Sequence, residues 1–161
     1  MRGLIVYITQ RVKLMLPKKA LLVLLAAVIL VFSAAVCGFF MDRRHSEKSV
    51  LIGSKVYTLE SADTAPLRQK GLGGRDALCE TCGMLFVFDQ PGRYAFWMKD
   101  MRFPLTLIWL AGEQVVFVAR DVSPDVSDTL NPPVFADRVI EINAGQSTDL
   151  NPGDRVRFLP Q

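Results

Sequence analysis

The sequence predicts a mainly β domain, a small antiparallel barrel or sandwich with one or two short helices, preceded by one N-terminal transmembrane helix. Three observations predict it. Half of the 161 residues are hydrophobic, and that excess is concentrated near the start. From Ala20 to Met41, 22 residues pass without a charge. Beyond Val50 the apolar runs are short and densely punctuated by Gly, Pro, Asn and Asp, the pattern of a compact all-β unit.

As a helix rising about 1.5 Å per residue, the uncharged run spans roughly 33 Å, enough to cross a hydrocarbon core of about 30 Å. Arg2, Arg11, Lys13, Lys18 and Lys19 precede it and no acid does, a lead of +5. Basic residues beside a first membrane helix stay on the cytoplasmic side. The expected organisation is a basic cytoplasmic lead over 1–19, a signal anchor over 20–41, a polar linker over 42–49 and an extracytoplasmic β domain over 50–161. The chain is then a single-pass protein of the cytoplasmic (inner) membrane, with its N-terminus inside. Cleavage is the alternative. Ser33-Ala34-Ala35 offers small residues to a peptidase, and a start at Met15 gives a lead of signal-peptide form. The domain would then be secreted or periplasmic. Lipid attachment at Cys37 is disfavoured, because Val36 stands where a small residue is expected.

The rest of the chain carries 14 basic residues (19 less the five in the lead) against 16 acidic ones, a net of −2. The overall charge of +3 therefore belongs to the lead. A nucleic-acid surface is not expected, since phosphate binding needs Lys and Arg clustered on the folded domain.

Within the domain, Val50–Ile52 and Lys55–Leu59 flank Gly53-Ser54 as a tight hairpin, with Gly supplying the positive φ. Asp63 or Thr64 caps a brief helix entered through Pro66 and ended near Gly71. Met84–Phe88 and Tyr94–Met98 flank Asp89-Gln90-Pro91-Gly92 as a second hairpin. Leu105–Leu110 and Val115–Arg120 form a third, apolar at nearly every position and so expected to be buried on both faces. Asp121–Pro133 is a long polar loop. Arg138–Ile142 and Asp154–Phe158 complete about eight strands.

In this order the chain holds Arg68-Gln69-Lys70-Gly71-Leu72, Gly83-Met84-Leu85-Phe86-Val87-Phe88, Phe96-Trp97-Met98-Lys99-Asp100, Pro104-Leu105, Ile140-Glu141-Ile142-Asn143-Ala144-Gly145 and Gly153-Asp154. These blocks resemble the prokaryotic family called domain of unknown function 192, from about Val50 to Phe158. The resemblance implies a small, mostly β domain, often exported, and supplies no activity. Three positions depart from the family pattern: Gly73 where Met is usual, Asp100 where Asn is usual, and Thr106 where Asp is usual. Cys79-Glu80-Thr81-Cys82 is not a family hallmark.

Cys79-x-x-Cys82 suits a redox dithiol, a pair of metal-binding thiolates, or a structural disulfide. His45 in the linker is the lone histidine, so a four-ligand zinc site within one chain is disfavoured. A strand, not a helix, is expected to follow the pair, which weakens the redox reading. In an oxidising compartment a loop-stapling disulfide is the plainer reading.

Phe96 to Pro104 mixes Trp97, two Met and three charges. Strand alternation puts Phe96 and Met98 on one face and Trp97 and Lys99 on the other. Arg68, Trp97, Met98, Lys99, Asp100, Arg102 and Glu141 are the candidate ligand pocket, charged groups over an apolar floor. The competing reading is a packed corner in which Trp97 is core and the cations snorkel. Glu141 must face away from Ile140 and Ile142, and its burial calls for a partner: Arg68 or Lys99 inside a pocket, or a surface Arg on a neighbouring strand. The Arg68–Glu141 pair comes first, because both residues lie in the family-resembling blocks. Met84, Met98 and Met101 are ordinary core filler rather than Cu(I) ligands.

No nucleophile elbow, no phosphate-cradling Gly loop and no domain histidine is present, which excludes triad hydrolases. No catalytic residue, cofactor or resident metal is expected. The expected function is non-enzymatic binding of a small ligand or an envelope protein, with the membrane engaged through 20–41. The alternative is thiol–disulfide or metal handling at Cys79 and Cys82.

Overall fold

The structure, a computed structural model, describes residues 47–146 and 149–160, together with Val28. The chain divides into two units, 1–44 and 45–161, and the described fold is that of the second. Among the described residues no helix is long and apolar enough to cross a membrane. Val28 apart, the predicted anchor over 20–41 lies outside the described residues.

The elements are β1 (Glu47–Ile52), β2 (Lys55–Ala62), α1 (Ala65–Lys70), β3 (Cys82–Gly92), β4 (Leu105–Ala111), β5 (Gln114–Val122), β6 (Ala136–Asn143) and β7 (Arg157–Phe158). The first and third expected hairpins are β1–β2 and β4–β5. Helix α1 begins after Thr64 with Pro66 in its first turn and stops at Gly71. Proline is tolerated there because its missing N–H is one of the unpaired donors of a first turn.

All seven strands belong to one sheet, ordered β5-β4-β6-β3-β2-β1-β7. The sheet bends into a half-barrel whose far edges approach at one end. The segment ahead of β7 bridges Arg155 to Gln114 at the start of β5. There Val115 N–H donates to the Asp154 carbonyl at 2.8 Å and Val156 N–H to the Glu113 carbonyl at 2.9 Å. Two residues later the chain pairs with β1, Val50 against Phe158.

Three expectations are corrected. The sheet is not wholly antiparallel: β2 and β3 run parallel, from Thr58 beside Cys82 to Ala62 beside Phe86. The 63–81 connection, with α1, carries the chain back to the end from which β2 started, the crossover a parallel pair requires. The second hairpin does not form. Strand β3 continues through Gly92 and pairs with β6, with a register shift between Val87 and Gly92. Tyr94 stacks on Phe88 instead of returning as a strand, their ring centroids 3.5 Å apart. Only Phe96 in that segment bridges, to Leu130 in the long loop. Finally, Asp154–Phe158 shrinks to a two-residue strand and an isolated bridge. With Tyr94–Met98 forming no strand, the described residues hold seven strands where eight were expected.

Alternation along the strands builds two cores. Ile108 and Leu110 of β4 and Ile140 and Ile142 of β6 enter one, with Val50, Tyr57, Leu59 and Leu85. Leu105, Leu107 and Trp109 of β4 and Val139 of β6 enter the other, with Met84, Phe86, Phe96 and Met98. Residues i and i+2 of a strand share a face, so a strand apolar at every position is buried on both. This holds for β4, buried from Leu105 to Leu110. It fails for β5, which ends the sheet order and keeps Val116 to Ala119 only half-buried.

Candidate functional site

The second core does not close completely. A cavity of about 280 Å³ opens between the C-terminal end of α1, the face of β3 and the 94–101 segment. Its walls are aromatic: Phe86, Phe88, Tyr94, Phe96 and Trp97, with Leu72 and Met101. Phe86 and Phe96 meet edge to face at 4.9 Å, and Phe96 meets Trp109 at 5.5 Å. Trp97 is 52% exposed at the edge of the cavity. Arg68, Lys70 and Lys99 also line it.

Glu141 contributes the acid. It lies in the middle of the sheet, opposite Met84 of β3 on one side and Leu107 of β4 on the other. Its neighbours Ile140 and Ile142 point into the first core, so its carboxyl turns toward the second and reaches the cavity. The residue is 5% exposed. No hydrogen bond or ion pair reaches its side chain among the described residues. Desolvation therefore acts unopposed and pushes its pKa up to about 8. At neutral pH the carboxyl is mostly protonated.

Gly71 gives the carboxyl its opening. It ends α1 with φ +51°, and a Cβ there would stand 3.4 Å from Phe86 Cζ and 3.9 Å from Glu141 Oε2. Any side chain would be strained by that φ and would project toward the acid.

The Arg68–Glu141 pair expected from sequence is not formed. Arg68 Nη1 donates to the carbonyls of Asp63 at 2.7 Å and Val87 at 2.8 Å. Its guanidinium lies over the Phe88 ring, 5.2 Å from the centroid. The last turn of α1 thus aims Arg68 at the residue after β2 and at the middle of β3 rather than across the cavity. Of the other candidates, Trp97, Lys99 and Glu141 line the same cavity as Arg68. Asp100 and Arg102 line an adjoining hollow that shares Lys70, Trp97 and Lys99 with it. Arg102 pairs there with Asp76. Met98 is only 3% exposed and packs in the core, so it is not a lining residue. Asp100 has φ +59°, and its carbonyl accepts the Gly74 N–H at 2.8 Å. Asp and Asn both tolerate that backbone conformation, which accounts physically for Asp100 standing where the resembling family carries Asn.

Sequence reasoning missed Gly71, Phe86, Phe88 and Tyr94. A signal for two of them exists. Met84, Phe86 and Phe88 share one face of β3, and Met84 pairs with Glu141. The sequence alone does not reveal that pairing.

Because the carboxyl is protonated in the folded protein at a pH where it is ionised in the unfolded chain, the native state binds the extra proton between about pH 4.5 and 8. Stability is then greatest below that window, falls as pH rises through it, and levels off above. Urea unfolding at a series of pH values is expected to show this decline in the parent protein and a flatter profile in Glu141→Gln.

The cysteines stand apart from the cavity. Cys79 and Cys82 form a disulfide with Cα atoms 5.0 Å apart. Asn143 Nδ2 donates to the Cys79 carbonyl at 2.9 Å and ties this turn to the end of β6. With the sulfurs bonded to each other, neither is a thiolate in this structure. Among the described residues no cluster of three or more His, Cys, Asp or Glu could hold a metal ion. The loop closed by the bond is very short, so reduction is expected to cost at most about 2 kcal/mol of stability, measurable as a small shift of the urea midpoint with and without reductant.

The family model for domain of unknown function 192, described as "uncharacterized ACR", matches residues 48–158. No curated protein matches the chain. Two solved structures share the fold. One, from Sinorhizobium meliloti 1021 and provisionally described as a transcription regulator, is 24% identical with a TM-score of 0.66. That match covers 71% of this chain and 95% of the other. The second is a protein of unknown function from Novosphingobium aromaticivorans DSM 12444, 28% identical with a TM-score of 0.61, covering 69% of this chain and 83% of the other. The chain belongs to the domain of unknown function 192 family.

Proposed function

We propose that this member of the domain of unknown function 192 family is an envelope protein whose β domain binds a small ligand without transforming it. The observation that carries the reading is the cavity over Glu141: aromatic walls, a cationic rim, and one buried acid with no protein partner. A buried carboxyl without a partner costs stability. A site that tolerates this cost inside an open apolar cavity has the form of a ligand pocket, mostly apolar with a few polar groups that fix orientation. The volume suits a small molecule rather than a protein segment.

The envelope location rests on the sequence. The +5 lead and the uncharged run from Ala20 to Met41 support a single-pass anchor in the cytoplasmic membrane, with the domain on its outer side. The Cys79–Cys82 disulfide is in keeping with an oxidising compartment. It also supports the second reading, thiol–disulfide exchange at that pair, which needs no cavity.

One experiment separates the two. Backbone amide NMR of the domain, titrated with a panel of small amines, carboxylates and neutral aromatics, is expected to move resonances of 68–73, 94–101 and 141. Shifts confined to the separate hollow around Ser61, Arg138 and Phe158, or no shift from any compound, would overturn the pocket reading. A Cys79–Cys82 pair that cycles readily with glutathione, together with a silent pocket, would favour the exchange reading.

A further inference from the structure

We infer that the pocket takes a small zwitterion, with its ammonium end seated against Glu141 and its carboxylate or phosphate end facing Lys70, Lys99 and Arg68. The inference rests on the proposed ligand-binding role and adds the chemistry of the ligand.

The charges are arranged by depth. The acid lies in the middle strands of the sheet and is almost wholly buried. The cations come from the end of α1 and from the 94–101 segment, where Lys70 and Lys99 are exposed and Arg68 is half-buried. No ion pair engages Lys70 or Lys99 among the described residues. Asp100 lines the adjoining hollow rather than the cavity, and Asp76, which lines neither, pairs with Arg102. The titratable groups facing the cavity are therefore Glu141, Tyr94, Arg68, Lys70 and Lys99.

A simple anion would find the rim but leave Glu141 without a partner. A simple cation would meet the acid but have to pass three positive groups. A ligand carrying both charges satisfies both ends. The walls favour the same polarity. Aromatic faces attract an ammonium through their quadrupoles, and five aromatic side chains surround the space above Glu141. An ammonium held there also restores the ionised carboxylate, since an opposite charge within a few Å favours the charged form. Seating the ligand should then release a proton from Glu141 to solvent.

The test is calorimetric titration of the domain at pH 7 with glycine, β-alanine, γ-aminobutyrate, ε-aminocaproate and O-phosphoethanolamine, in two buffers of different ionisation enthalpy. Butylammonium and butyrate are the single-charge controls. At least one zwitterion is expected to bind about tenfold or more tighter than either control, with release of up to one proton per ligand. The amino-acid and phosphate probes distinguish the two sources of the anionic end. Glu141→Gln is expected to lose that advantage and the proton release. Lys70→Ala with Lys99→Ala, both exposed and safe for folding, is expected to bring the zwitterion down to the affinity of butylammonium.

Butyrate binding as tightly as every zwitterion, with no proton release and no loss in Glu141→Gln, would overturn the inference. So would failure of all the zwitterions to bind. Either result leaves the pocket itself to be judged by the NMR mapping, so the two readings fail separately.

Discussion

Gly83→Ala is expected to destabilise the domain by about 3 kcal/mol or more, at the upper end of what overpacking costs. Gly83 is buried at the start of β3, between Leu59 of β2 and Ile142 of β6. A Cβ there would lie 2.4 Å from the Glu141 carbonyl oxygen, 2.6 Å from Leu59 Cδ2 and 3.0 Å from Ile142 Cγ2. The first contact is with backbone, which cannot rotate away. Relief requires β3 and β6 to separate, and β6 carries Glu141. The substitution should therefore lower the urea midpoint sharply and weaken binding in whatever folded fraction remains. Gly112→Asn is the control. Gly112 sits in the β4–β5 turn with φ +61° and nothing within 4 Å of a new Cβ. Asn tolerates that conformation, and a loss below about 1 kcal/mol is expected. Equal losses at the two glycines would contradict the packing account.

Trp109→Ala is expected to cost about 3–5 kcal/mol, the usual range for emptying a buried Trp site. Trp109 is fully buried in β4. It contacts Phe96 and Phe117 edge to face, each at 5.5 Å, and its Nε1 donates to the Tyr94 carbonyl at 2.9 Å. It thus supports two of the aromatic walls of the cavity from beneath. Trp109→Phe keeps part of the volume but removes the hydrogen bond, worth about 1 kcal/mol, and should be milder. Both variants should weaken probe binding at the pocket more than they alter the Cys79–Cys82 turn. An alanine variant with an unchanged urea midpoint would show that the second core does not bear on stability.

Features set by strand alternation were legible in the sequence. Phe96 and Met98 are buried while Trp97 and Lys99 are exposed, the expected alternation, although in that segment only Phe96 bridges and no strand forms. Glu141 turns away from Ile140 and Ile142 by the same alternation. The tight turn at Gly53-Ser54 and the brief helix through Pro66 also follow from local chemistry. What escaped depends on which strands become neighbours. The Pro91-Gly92 signal is a genuine bend, but tertiary packing sends Tyr94 onto Phe88 instead of into a hairpin. The parallel β2–β3 pair depends on the path of the whole 63–81 connection, and no short stretch encodes it. The Arg68–Glu141 pair rested on opposite charge and on both residues lying in the family-resembling blocks, neither of which fixes direction, whereas the pitch of α1 delivers Arg68 to two backbone carbonyls. The membrane segment over 20–41 falls outside the described residues. The family match adds a domain without an assigned activity, so the site must be argued from its own geometry.

Everything proposed for the pocket depends on Glu141 being a buried acid without a protein partner. Carboxyl ¹³C NMR of glutamate-labelled domain, titrated across pH with the Glu141 resonance identified by its loss in Glu141→Gln, measures this directly. The predicted result is a midpoint near 8 for Glu141, well above that of an ordinary carboxyl. A Glu141 midpoint in the usual range, near 4.5, would mean that water or a cation already reaches the group, and the account of the site would be contradicted.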